Sequence, residues 1–177
     1  MQQVADPKLL SSALAGSEMA FSELLRPLVD LGYRLACGML HDAHAAEDAV
    51  QDASLTAWRK LDRVRDEGKI RPWFLSIVAN ECRNARRQKW VASVNLGLPE
   101  LSIHSSDERV LRGVDLRRAL AQLNEHDRLV VVLYFYLDLP LEEVAPIVGT
   151  SVGAAKARLY RSIRRLRPDL EIQEALQ

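Results

Sequence analysis

The chain has 177 residues, 48% of them hydrophobic and 27% charged, and its 24 Lys and Arg are balanced by 24 Asp and Glu. That composition is that of a folded globular protein and excludes a disordered one. No apolar run approaches the ~20 residues of a membrane span, and MQQVADPKLL has neither the basic leader nor the apolar core of a secretory signal, so a cytoplasmic protein of one large or two small domains, with no membrane contact of its own, is expected.

The chain reads as helical almost throughout. Ala20, Leu24, Leu28, Leu31, Leu35 and Met39 recur at intervals of three and four and predict a helix over about 19–40. Ala46, Ala49, Val50, Ala53, Ala57 and Leu61 predict the next. Its opposite side carries Glu47, Asp48, Gln51 and Asp52 within about 140° of arc, a pattern that alone means only a solvated face. Cys37, His41 and His44 are metal-ligand types. One helix ends near His41 and another begins at Asp42, however, which breaks their common face. No metal or other cofactor is expected, and Cys37 and Cys82 read as reduced, buried thiols.

A polar loop over 62–69 (DRVRDEGK) precedes a helix over about 71–90. Trp73, Phe74, Ile77, Val78, Cys82 and Ala85 share one broad side and read as core. Ser76, Asn80, Arg83, Arg86 and Arg87 share the other, and residues 82–90 hold bases but no acid. Amides interleaved with arginines have the chemistry of a nucleic-acid surface. Residues 91–111 mix Ser, Asn, Gly and Pro without a period and read as a flexible linker. It divides a domain over 1–90 from one over 112–177. Helices resume at 113–123 and from Glu125, where LVVVLYFYL at 129–137 reads as a buried helix rather than a strand because of its polar flanks.

The last segment is the most informative. In LEEVAPIVGTSVGAAKARLYRSIRRLR, residues 141–167, two helices flank a tight turn. Glu142 and Glu143 suit the positive end of the first helix, Gly149 can take the left-handed conformation that ends it, and Ser151 can cap the second. This is the layout of a helix-turn-helix. On the second helix Val152, Ala155, Leu159, Ile163 and Leu166 form the expected apolar stripe. Ser151, Ala154, Lys156, Ala157, Arg158, Arg161, Arg164 and Arg165 form the expected DNA face. Its small residues near the start admit a major groove, Arg158 and Arg161 are placed for base edges, and Arg164 and Arg165 for phosphates.

In this order the segments AEDAVQDASLTAW (46–58), RPWFLSIVANECRNARRQKW (71–90) and the C-terminal helix-turn-helix resemble the extracytoplasmic-function (group 4) sigma factors of bacterial RNA polymerase. The resemblance implies an all-α fold of two small helical domains joined by a flexible linker, the second a helix-turn-helix. It also implies an alternative sigma factor that directs promoter recognition, DNA melting and transcription initiation. Glu47, Asp48, Gln51 and Asp52 then face the clamp helices of core RNA polymerase. The loop at 62–69 receives a flipped base, and Ser76, Asn80, Arg83, Asn84, Arg86 and Arg87 hold the downstream (minus-ten) element of promoter DNA. The helix from Ser151 reads the upstream (minus-thirty-five) element, and an anti-sigma factor is the implied regulator. The chain departs from the family pattern at Ser54, where a bulky apolar residue is usual, at Pro146, expected to kink or shorten its helix, and at Ala154-Ala155, where Thr-Val is common. Two other readings stay open: a sigma-like decoy that occupies an anti-sigma factor, and a helix-turn-helix repressor acting alone. With no convergent catalytic cluster and no phosphate loop, an enzyme is not expected.

Overall fold

The computed structural model of the chain describes residues 7–64, 66–96 and 119–174, and every regular element among them is helical. Helix α1 (Pro7–Leu14) has no counterpart in the sequence reading. It buries Leu10 and Ala13 against Ala20, Leu24, Leu61, Val64 and Ile70, a short apolar contact too brief to show a period.

Helix α2 (Glu18–Leu40) starts where the Ser17 hydroxyl accepts the Ala20 N–H, and it ends at His41, whose φ is 57°. Asp42 then accepts the Ala45 N–H through Oδ1 at 3.2 Å and starts α3 (Ala43–Arg59). A histidine in the left-handed region followed at once by an N-cap is what separates these two helices. Two 3-10 turns, Leu61–Arg63 and Glu67–Lys69, lead into α4 (Ile70–Leu96). That helix continues six residues beyond the expected stop at 90, through Leu96. The alanines of α3 (Ala46, Ala49, Ala53, Ala57) let it approach α2 and α4 closely, around the fully buried Leu35, Met39, Phe74, Leu75 and Val78. Of the expected linker, residues 97–111 lie outside the described part of the chain. So does most of the expected helix at 113–123, of which 119–122 are described and helical.

The second helical group begins at Asn124, whose side chain accepts the Asp127 N–H at 2.9 Å and caps α5 (Glu125–Val131). The same helix continues as a π-helical turn, Val132–Tyr136. Residues 129–133 are buried as expected, but Phe135 and Tyr136 emerge into solvent. Helix α6 (Leu141–Val148) ends at Gly149, whose φ is 73°, and α7 (Val152–Glu174) follows. Pro146 stands inside α6 without ending it. The ring removes one backbone donor, and only Ile147 and Val148 follow it before the glycine stop.

The two groups are docked. Helix α4 lies against α6, and α2 against the π-helical turn. Gly38 makes this approach possible: a Cβ there would stand 2.8 Å from Val132 Cγ1. Around it, Arg34 Nη2 donates to the Tyr136 carbonyl at 2.8 Å and Arg128 Nη1 to the Met39 carbonyl at 3.5 Å. Two ion pairs, Arg71–Glu143 at 3.0 Å and Arg83–Glu125 at 3.6 Å, close the edges.

Candidate nucleic-acid interface

Helix α7 begins with Ser151, whose hydroxyl accepts the Ala154 N–H at 3.2 Å. Ala155, Leu159, Ser162 and Leu166 point into the core, with Ile163 half-buried beside them. Val152, expected in that stripe, is exposed, and Ser162, which the sequence reading did not place, is fully buried. The serine is tolerated because its hydroxyl donates to the Arg158 carbonyl at 2.9 Å, so no polar atom is left bare. The expected DNA face is otherwise laid open: Ser151, Ala154, Lys156, Ala157, Arg161, Arg164 and Arg165 are exposed. Arg158 is half-buried, with Nε 3.9 Å from Asp127 Oδ1. Arg165 Nη1 lies 3.5 Å from the other oxygen of the same carboxylate. Tyr160, more than half exposed, joins this face. An aromatic among arginines on the polar side was the signal for it in the sequence.

On α4 the expected polar side divides. Asn80, Asn84 and Arg87 are exposed, whereas Ser76, Arg83 and Arg86 are half-buried. The Ser76 hydroxyl donates to the Trp73 carbonyl at 2.6 Å, which ties it to its own helix. Arg83 is held from two sides, donating through Nη1 to Asn80 Oδ1 and facing Glu125 through Nε. Asn84 donates to Glu81 Oε2 at 3.0 Å. Glu81 and Glu125 are thus acids set among bases. Glu81 stands on the polar side within the sequence of α4, while Glu125 arrives from the second helical group and is visible only in the fold. Phe74 is fully buried and Trp73 is half-buried, so both belong to packing.

The acidic face of α3 stands apart from both. Glu47, Asp48, Gln51 and Asp52 are all exposed. Beside it runs a shallow groove between α2 and α3, lined by Phe21, Leu25, Val29, Tyr33 and Ser54. Ser54 is small, and its hydroxyl donates to the Val50 carbonyl at 2.8 Å, so nothing fills the groove at that point. Val29 in its lining and Leu55 on α3 are exposed apolar side chains. They were missed because a single Leu or Val on a polar side has no period of its own.

Cys82 is buried, and burial first, then the Glu125 charge, push its thiol up to about 12. Among the described residues no group of three His, Cys, Asp or Glu side chains is placed to hold a metal ion. None of their helices is long and apolar enough to cross a membrane.

Two family models match the chain: Sigma-70 region 2 over residues 22–91 and Sigma-70, region 4 over residues 113–166. The chain is 30% identical over 168 residues to the ECF RNA polymerase sigma factor SigL of Mycobacterium tuberculosis, covering 89% of this chain and 95% of that one. It is 30% identical over 139 residues to the RNA polymerase sigma factor SigV of Bacillus subtilis, covering 78% and 83%. Its fold is similar to that of the sigma factor RpoE in complex with the anti-sigma factor NepR from Bartonella quintana. The TM-score is 0.69 at 24% identity, over 86% of this chain and 97% of that one. It is also similar to CnrH in complex with the cytosolic domain of CnrY, with a TM-score of 0.72 at 24% identity, over 95% and 98%.

Proposed function

Because the chain belongs to the extracytoplasmic-function sigma factors, it is an alternative sigma factor that joins core RNA polymerase and brings it to promoters, and we propose how its surfaces divide that work. The acidic face of α3, with Glu47, Asp48, Gln51 and Asp52, docks on the polymerase clamp. Helix α4, through Asn80, Arg83, Asn84, Arg86 and Arg87 with Ser76 at its base, holds the opened downstream element. Helix α7 reads the upstream element, with Arg161 central on its exposed face and Arg158 and Arg165 at its edge. The division into residues 1–90, 91–111 and 112–177 follows from this, with α4 running six residues into the middle segment, and the two family matches, over 22–91 and 113–166, support two separate units. The protein works in the cytoplasm beside the polymerase, with an anti-sigma protein as its regulator.

The observation that carries this reading is the presence of two separate basic faces, on α4 and on α7, in a chain whose net charge is zero. A decoy has no use for either, and a lone repressor has no use for α4. Docking also sets a condition. Packed helices stand about 8–10 Å apart, so the axis of α7, one helix beyond α6, lies at most about 20 Å from that of α4 where they pass. Two elements one and a half to two turns apart on DNA lie roughly 50–70 Å from each other at ~34 Å per turn. The two helical groups therefore part when both elements are held.

Footprinting and permanganate reactivity with core polymerase test the division. Arg161→Ala should lose upstream protection, and Asn80→Ala should keep it but lose strand opening. The same defect in both variants would refute the separate roles.

A further inference from the structure

Helix α7 is held at its flank by a single carboxylate. Asp127 is the third residue of α5, and its side chain is only 12% exposed. Its Oδ2 accepts the Asn124 amide at 2.7 Å and faces Arg165 Nη1 at 3.5 Å, while Oδ1 faces Arg158 Nε at 3.9 Å. Arg158 and Arg165 are seven residues apart, two turns, so they lie on one line along the helix. One acid thus engages two of the bases that make the helix cationic. Lys156, Arg161 and Arg164, also exposed on that helix, have no acidic partner among the ion pairs of the described residues.

We infer that Asp127 is a positioning residue for promoter selection: it withholds Arg158 and Arg165 from DNA phosphates, so that contact with DNA begins through Arg161 and its exposed neighbours. This rests on reading α7 as the promoter-facing helix. The physical argument is one of competition. Phosphate neutralisation supplies sequence-independent affinity, and an arginine already engaged by a low-exposure carboxylate, half-buried at Arg158 and exposed at Arg165, gains less by turning to a phosphate than a free one does. Two fewer available cations lower the background on which sequence discrimination is measured. Asp127 also fixes the angle of α7 against α5, which sets where Arg161 enters the groove.

The test is Asp127→Asn in the full chain, which preserves size and the hydrogen bond to Asn124 but removes the charge. Binding to a random duplex is titrated at several salt concentrations. The slope of log affinity against log salt should steepen by about 0.9 for each arginine that gains a phosphate, up to about 1.8. In an Arg158→Ala/Arg165→Ala background the same substitution should leave the slope where it is. An unchanged slope in the first case, or an equal change in both backgrounds, would overturn the inference; a merely structural Asp127 gives one of those results. Arg161→Ala is run alongside. If it binds every duplex as the native chain does, α7 does not face DNA, and the failure is that of the functional reading rather than of Asp127. Should Asp127→Asn not fold, side-chain NMR of the native chain decides. The Arg158 Nε–H and the Arg165 Nη1 protons should exchange more slowly than the corresponding protons of Arg161, and equal exchange would overturn the inference.

Discussion

Gly38→Ala tests the docked arrangement at one methyl group. The new Cβ would stand 2.8 Å from Val132 Cγ1 and 3.4 Å from Cγ2, where an ordinary carbon contact is about 3.5–4.0 Å. Val132 is 2% exposed and cannot swing aside, so α2 and the π-helical turn must separate by roughly 1 Å. Overpacking of this kind costs about 1–3 kcal/mol, which is a shift of about 5- to 150-fold in the docked-to-parted ratio at 1.4 kcal/mol per factor of ten. The side chains that a Cβ at Gly38 would meet, Val132 and Tyr136, all belong to the second group, so the substitution loads the interface and spares the core of α2, α3 and α4. Energy transfer between a dye on α1 and one on the exposed side of α7 reports the separation in the free chain. Permanganate reactivity with core polymerase reports opening. Transfer should fall and promoter opening should speed up. If transfer is unchanged, or if opening slows in step with a lower melting temperature, docking is no barrier to promoter binding and the requirement for parting is wrong.

Two other outcomes are expected. Asp48→Arg and Asp52→Arg, both on the exposed side of α3, should weaken association with core polymerase in a titration while shifting the melting temperature little; unchanged affinity would remove that surface from the polymerase interface. The Cys82 thiol, raised from its ordinary value of 9.0 to about 12, favours the protonated folded form. Its contribution to stability is complete below pH 9 and is lost as pH rises from 9 to 12. Denaturation midpoints should fall across that range more steeply in the native chain than in Cys82→Ala, and iodoacetamide at pH 8 should modify Cys82 only after unfolding.

Much of this fold is written in local signals. Alanine and leucine spacing marks α2 and α3, and the helix start at Asp42, the cap at Ser151 and the stop at Gly149 act through hydrogen bonds within a few residues of themselves. Those were legible because the physics is local. The end of α4 was not, because Leu96 lies beyond Trp90 in a stretch whose composition resembles a linker while its backbone stays helical. Nor was the π-helical turn, since LVVVLYFYL has the same apolar pattern in an α-helix. The site divides in the same way. The exposed bases of α7 follow from helical period, but Arg158 was placed on the bases when its carboxylate partner, Asp127, comes from a helix 31 residues away in sequence. Arg83 met Glu125 by the same route. Single acids that arrive from another element carry no periodic mark, and they decide which arginines are available.

Run-off transcription tests the central claim most directly. The full chain is added to core RNA polymerase with a library of bacterial promoter fragments, beside core polymerase alone and core polymerase with an Asn80→Ala/Arg161→Ala chain. Discrete transcripts that depend on the native chain and vanish with the double variant are predicted. Transcripts that persist with the double variant, or none with the native chain although it binds core polymerase, would contradict the assignment of α4 and α7 as its promoter-reading surfaces.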